Sequence, residues 1–356
     1  MKNFWENKKV FLTGHTGFKG GWTSLWLQSQ GAKVTGFSLN PNTKKNFFEI
    51  AEVSKNMESF IGDIRDGDLL EKKMLSAKPD IVIHMAAQPL VRESYLNPVE
   101  TYQTNVIGTI NVFEAIRKTD SVSTVLNVTS DKCYENKEIS YSYNELDPMG
   151  GHDPYSNSKG CAELISSAYR RSFFQNGGFD NSKSVGLASV RAGNVIGGGD
   201  WSRDRLVPDI LKSCENKTPL VLRNPNSIRP WQFILEPIGG YLLLCEKLFR
   251  DDDRFSGGWN FGPIERDTKT VQWIVNYFLK KSVNKFEYIL SDEENPHEAN
   301  LLTLDISKAK NQLDWKPKLN LSKALDNVIS WQKALLDGKN MNEFSLSQIE
   351  NYLKLK

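Results

Sequence analysis

Lys9-Val10-Phe11-Leu12-Thr13-Gly14-His15-Thr16-Gly17-Phe18-Lys19-Gly20 decides the fold. Its first five residues have the length and apolarity of a buried strand. The strand runs straight into Gly-x-x-Gly-x-x-Gly, and a helix is predicted from Trp22 to Gln30, closed by Gly31 as a C-terminal cap. Strand, glycine turn and helix in that order are the setting for binding a dinucleotide. The glycines allow a sharp turn and let a pyrophosphate approach the free N–H groups and positive dipole end of the helix.

Working outward, Lys33-Val34-Thr35-Gly36-Phe37-Ser38 reads as the second strand. An acid at its end would hold an adenosine ribose, but Ser38 stands there, with Lys44 and Lys45 near, so these residues leave NAD against NADP open. A third strand over 57–61 ends in Gly62-Asp63-Ile64, where Asp63 is placed either to meet an adenine amino group or to cap a turn. The fourth, Asp80-Ile81-Val82-Ile83-His84, is followed by small residues that let a flat cofactor lie against the sheet edge, with His84 read as a satisfied strand-end histidine. A long helix is expected from about Pro98 to Lys118, with Asn105 and Gly108 inside it.

The fifth strand, Thr124 to Val128, runs out into Thr129-Ser130-Asp131-Lys132-Cys133-Tyr134. Asp153-Pro154 then caps a helix expected to continue to about Phe174, and its spacing of four puts Tyr155 and Lys159 on one face. A neighbouring ammonium favours a phenolate, so the pair makes a candidate general base for a hydroxyl. Ser130 is placed to share that proton, and Asp131 and Lys132 to transfer others. Tyr277/Lys281 and Tyr352/Lys356 repeat the spacing, but neither follows a strand ending in such a cluster.

A sixth strand over 184–190 completes the strand–helix alternation. The expectation is an α/β fold, a Rossmann-like doubly wound parallel sheet with a smaller C-terminal substrate-binding domain. Residues 1–190 form the first domain, joined by a return segment near 230–255, and residues 191–356 form the second. Gly257 to Gly262 reads as a tight turn, residues 315–335 as an amphipathic helix, and the tail after Gly338 as a short surface helix. Arg205, Arg223 and Arg229, with Asn194 and Trp231, suit a nucleotide diphosphate; surface salt bridges are the plainer reading of each.

Composition excludes several classes. Of 356 residues 25% are charged, the net charge is +2, and no basic block suggests nucleic acid or an anionic membrane. Cys133, Cys161, Cys214 and Cys245 are far apart, and the four histidines include no pair in helical register, so neither zinc nor a disulfide framework is expected. No apolar run reaches transmembrane length and no signal peptide is read, which makes cytoplasm the default.

Gly14-x-x-Gly17-x-x-Gly20, Gly62-Asp63-Ile64, His84-Met85-Ala86-Ala87-Gln88, Tyr155/Lys159 and Leu313-Asp314-Trp315-Lys316-Pro317 together resemble the extended short-chain dehydrogenase/reductase family. Through Ser130-Asp131-Lys132-Cys133-Tyr134, Gly197-Gly198-Gly199-Asp200-Trp201 and Arg229-Pro230-Trp231-Gln232, the chain is most similar to its nucleotide-sugar 4,6-dehydratases, in the branch acting on CDP-glucose. The dTDP- and GDP-hexose enzymes usually carry glutamate where this chain has Lys132.

The resemblance implies NAD, held by Gly14, Thr16, Gly17, Phe18, Lys19 and Gly20, by Asp63 and Ile64, by Ala86, Ala87 and Gln88, and by Asn105, Tyr155 and Lys159. It implies that Tyr155 takes the C4 hydroxyl proton as hydride leaves C4, that Lys132 accepts the C5 proton, that Asp131 donates to the departing C6 hydroxyl, and that hydride returns to C6. Asn194, Arg205, Arg223, Arg229 and His297 are implied in substrate binding. A homo-oligomer pairing the helices near 98–118 and 153–174 is expected, in a step toward deoxyhexoses of surface polysaccharide. The rival readings are a nucleotide-sugar epimerase or reductase, which needs no acid and base after Ser130, and a non-catalytic NAD(P) sensor.

Overall fold

Seven strands, all parallel, form the central sheet: β1 (Lys9–Thr13), β2 (Lys33–Ser38), β3 (Glu58–Ile61), β4 (Ile81–His84), β5 (Thr124–Val128), β6 (Gly186–Ala192) and β7 (Gly257–Phe261), in the order β7-β6-β5-β4-β1-β2-β3. The computed structural model describes residues 4–175, 183–264, 267–281, 286–291 and 302–355. Every residue of β4 and β5 is buried, as expected for parallel strands covered on both faces. Period-two alternation sorts their side chains into two cores. Leu12, Ile83, Leu126 and Val190 pack on one face, and Phe11, Val82, Val125 and Leu187 on the other.

The strand order reverses between β1 and β4, opening a crevice at the carboxyl edge where such sheets bind ligands. Helix α1 (Phe18–Ser29) begins within the glycine turn, four residues before the expected Trp22. A Cβ on Gly20 would lie 2.0 Å from the Gly14 oxygen, so the close approach outweighs the low helix propensity of glycine. The helix Pro98–Tyr102 continues through a π-helical turn, Gln103–Ile107, into Gly108–Arg117. Helix α2 (Pro154–Tyr169) carries Tyr155 and Lys159.

Past residue 190 the chain builds small two-stranded pairs, such as Leu220–Leu222 with Tyr288–Leu290, but it also returns to the sheet. Helix α3 (Leu235–Arg250) packs on β5 and β6. The return continues through 257–261, which is strand β7 rather than the expected turn. Its two glycines mislead because they serve packing: a Cβ on Gly258 would lie 2.5 Å from an Arg191 guanidinium nitrogen.

Helix α4 (Leu321–Leu336) is followed by α5 (Met341–Lys354), which is not a surface appendage. Met341, Ser345, Ile349 and Tyr352 are buried, and Trp331 donates to the Ser345 hydroxyl at 2.9 Å. Glu236, buried on α3, accepts from the Leu319 amide at 2.7 Å, the Lys318 amide at 2.9 Å and the Tyr352 hydroxyl at 2.8 Å. Tyr352→Phe removes the last of these and is expected to lower stability by about 1.5 kcal/mol, read as a shifted urea midpoint at unchanged m. An unshifted midpoint would mean that α5 is not fastened through this carboxylate.

Candidate active site

The turn after β1 is drawn tight by backbone contact. Gly14 has φ +80°, and a Cβ there would lie 2.7 Å from the Ala86 nitrogen. The Thr13 hydroxyl accepts from the Met85 and Ala86 amides at 3.1 and 3.2 Å and shares a 2.7 Å hydrogen bond with His84 Nδ1. His84 Nε2 meets the Thr109 hydroxyl at 3.1 Å, and burial lowers its pKa to about 3, so it is a neutral structural tie. Around Gly17 the packing is different: among the described residues a Cβ would meet only the Gly14 oxygen, at 3.4 Å. Gly17 begins α1 with no side-chain cap and no acid in the first turn. Space, uncapped N–H groups and a positive dipole end together fit a pyrophosphate.

Other residues expected at a cofactor are engaged with protein. Thr16 donates to the Leu39 carbonyl at 2.8 Å and shares a 2.9 Å hydrogen bond with Ser38. Asn105 accepts from the Gln88 amide at 2.8 Å and donates to the Gln88 carbonyl and the Ser158 hydroxyl, pinning the loop after β4 to α2. The Gln88 amide group donates to Thr101 at 2.8 Å. Ile64 is buried in the core. Asp63 accepts from Arg65 Nη2 and Nε, at 2.6 and 2.9 Å, and from the Arg65 amide, which is the geometry of a turn.

β5 ends where Thr129 donates its N–H to the Val190 carbonyl at 2.9 Å. A 3₁₀ turn, Asp131–Cys133, follows, with Ser130 as its cap: the hydroxyl accepts the Lys132 amide at 3.2 Å and donates to Asp131 Oδ1 at 3.1 Å. α2 packs on this turn. Asp153 caps it, accepting from the Ser156 amide at 2.9 Å, and a Cβ on Gly160 would lie 2.6 Å from the Gly150 oxygen and 3.2 Å from that of Cys133. The close contact brings Tyr155 against Ser130 and leaves Lys159 Nζ 3.4 Å from the Val128 carbonyl.

The side chains gathered here are dry. Burial pushes the Tyr155 phenol up to about 12, while its hydrogen bond with Ser130 and the Arg205 charge pull it back. The expected lowering of this phenol is not present; desolvation wins over the nearby cations. Burial lowers Lys159 to about 8, with Glu163 opposing. Lys19 is also lowered to about 8, by burial and then by the charges of Arg205 and Lys159, with Asp131 opposing. Burial raises Asp131 above the usual carboxylate range against Lys132, its Ser130 bond, Arg229 and Lys19. The carboxyl faces Gly193, whose notional Cβ lies 3.2 Å from Oδ2 and 2.5 Å from Pro230. Among the described residues cations outnumber carboxylates in this cleft, so an anionic ligand complements it.

The arginines divide. Arg205 pairs with Asp200 at 3.2 Å but acts on Lys19 and Tyr155, and Arg229 acts on Asp131. Arg223 and Arg92 both pair with Asp204, at 3.2 and 3.4 Å. Asn194 holds the Gln232 amide with its carbonyl at 2.9 Å. His297 lies outside the described residues. Sequence reading missed Tyr241 of α3, whose buried hydroxyl has no hydrogen-bond partner among the described residues and feels the charges of Asp131 and Tyr155. It also missed Glu163, although its place four residues beyond Lys159 was a signal.

A family model described as GDP-mannose 4,6 dehydratase matches residues 11–328. A CDP-glucose 4,6-dehydratase of Salmonella typhimurium is 51% identical over 352 residues, covering 99% of this chain and 98% of that one. Among solved structures, a UDP-glucose 4-epimerase of Thermotoga maritima with UDP-glucose superposes at TM-score 0.79 and 19% identity, covering 92% of this chain and 99% of that one. A dTDP-glucose 4,6-dehydratase of Bacillus anthracis in complex with NAD superposes at 0.72 and 21% identity, covering 92% and 96%. These two share the fold. Among the described residues no helix is long and apolar enough to cross a membrane.

The lowered pKa of Lys159 is a statement about stability. The folded state binds fewer protons than the unfolded state between pH about 8 and 10.5, so the penalty for charging Lys159 is complete below about 8 and gone above 10.5. Lys159→Met is therefore expected to stabilise the cofactor-free protein by about 3 kcal/mol at pH 7. The gain should fade as pH rises through that window in urea titrations. A gain independent of pH would mean that Lys159 has the same pKa in the folded and unfolded states.

Proposed function

The chain belongs to the GDP-mannose 4,6 dehydratase family of nucleotide-sugar enzymes, and from that premise we propose that it removes water from CDP-D-glucose to give CDP-4-dehydro-6-deoxy-D-glucose. The observation that carries this reading is the buried acid Asp131 beside Lys132, in the same cleft as Tyr155. An epimerase or reductase needs the tyrosine but not an acid and a base next to Ser130.

Bound NAD would supply a hydride acceptor and donor, taking hydride from C4 and returning it to C6. The uncapped start of α1 at Gly17 would hold its pyrophosphate, with Gly14 and Gly20 keeping the turn tight, Phe18 and Lys19 beginning the helix and Thr16 beside the turn. Asp63 and Ile64, Ala86 to Gln88, and Asn105 shape the remaining edge. Tyr155 accepts the C4 hydroxyl proton as its phenolate, a form that Ser130, the ammonium of Lys159 and the positive charge of a bound nicotinamide would favour against burial. The ketone formed at C4 acidifies C5–H, and Lys132 accepts that proton. Asp131, which burial favours in its protonated form, donates to the departing C6 hydroxyl. Arg205, Arg229 and Asn194 would meet the substrate diphosphate, and Arg223 would join them only by giving up its pair with Asp204.

Leu96, Val99, Ile107 and Leu164 are 75, 69, 49 and 60% exposed, on helices packed against one another. We read this apolar face as the contact between two copies of the chain. Four free cysteines suit a cytoplasmic setting.

Incubation with CDP-, dTDP- and GDP-glucose side by side should give a 4-keto-6-deoxy product from the CDP-sugar. Release of a C4 epimer instead would sink the dehydratase reading. Tyr155→Phe is expected to lower kcat by about 10³-fold while NAD stays bound. Leu164→Glu should convert a dimer to monomers in sedimentation; a wild-type monomer would remove the interface.

A further inference from the structure

Behind the site lies a charged network that the dehydratase mechanism does not use. Glu163, on α2, is 5% exposed, and its carboxylate is saturated. One oxygen accepts Arg191 Nε at 2.9 Å and the Thr129 hydroxyl; the other accepts Arg191 at 2.7 Å and the Ser189 hydroxyl at 2.6 Å. Arg191, 4% exposed on β6, donates its remaining terminal nitrogen to the Tyr134 hydroxyl at 2.5 Å. Tyr134 donates onward to Asn260 of β7 at 2.8 Å. The network thus clamps both ends of the turn that holds Ser130, Asp131 and Lys132: Thr129 before it and Tyr134 after it. Gly258 leaves the room the guanidinium needs.

Glu163 also follows Lys159 by one helical turn, on the same face. The ionisable groups that act on Lys159 or feel its charge are Glu163 on α2, Cys133 in the 3₁₀ turn, His84 on β4 and Lys19 on α1; one step further out, Arg191 on β6 acts on Glu163 and Cys133, and Asp131 and Arg205 act on Lys19 and Tyr155. His84 is neutral and Lys19 and Arg205 are cationic, and burial holds the Cys133 thiol well above its ordinary range. Arg191 holds the Glu163 carboxyl below its ordinary range against burial, so it is an anion throughout the working range of pH.

We propose that Glu163 is a positioning residue for the reaction: fastened by Arg191, it is the fixed anion that keeps Lys159 an ammonium and holds the turn of Ser130 and Asp131 in place. It acts through Lys159 and Thr129 and touches no reacting atom. This deepens the dehydratase reading and, for its effect on turnover, rests on it.

The test is Glu163→Gln, with a second variant because the single change strands a buried guanidinium. Neutralising both partners, as Glu163→Gln with Arg191→Met, removes that charge and keeps the fold measurable. In both variants the alkaline limb of the kcat–pH profile is expected to move toward acid by about one pH unit or more, with a loss of about tenfold at pH 8. In cofactor-free protein carrying isotope-labelled lysine, the NMR titration of Lys159 should move by a similar amount. Wild-type positions for both in the double variant would overturn the proposal. A wild-type protein inert toward CDP-glucose would sink the dehydratase reading alone, since the Lys159 titration still decides the role of Glu163.

Discussion

Parallel strands covered on both faces must all leave the sheet at one edge, and there their polar continuations enter a nearly dry space. That constraint governs this protein. His84, Ser130 and Arg191 lie at or near the carboxyl ends of β4, β5 and β6, and α2 and α3 close over them. Burial is the first cause of each shifted group: it raises Tyr155 and Asp131 and lowers Lys19, Lys159 and His84. Unpaired charge is costly in such a space, so each ion needs a counter-charge or a ligand.

The two sides of α2 meet that need differently. On the inner side Glu163 and Arg191 satisfy each other, and their hydrogen bonds reach Thr129, Ser189 and Tyr134. On the cleft side Lys132, Arg229 and Lys19 act on the carboxyl of Asp131, and Arg205 and Lys159 act in turn on Lys19. An anionic ligand would supply the charge the cleft lacks. The saturated pair is expected to be rigid, while the cationic cluster is expected to tighten when ligands bind.

Much of this was legible along the chain. Gly14, Gly17 and Gly20 identified the first turn, Asp153-Pro154 the start of α2, and spacing alone put Tyr155 and Lys159 on one face. Local rules serve there because each signal depends on backbone geometry within a few residues. They failed where a residue's reason lay far away. Gly257-Gly258 read as a turn, but Gly258 is small to admit Arg191 from the adjacent strand. The tail after Gly338 read as surface because its anchor, Glu236, is 116 residues from Tyr352.

The sequence by itself determined the parallel α/β class, the phosphate-binding turn and the helix that carries tyrosine and lysine. Periodicity, glycine and capping residues act locally, and their meaning does not depend on what packs against them. Only the tertiary structure decided which charges share a dry cleft, which arginines are already paired, and that the Tyr155 phenol stands near 12 rather than below its ordinary value. Desolvation and pairing depend on elements that are remote in the chain and adjacent in space, so no local pattern records them.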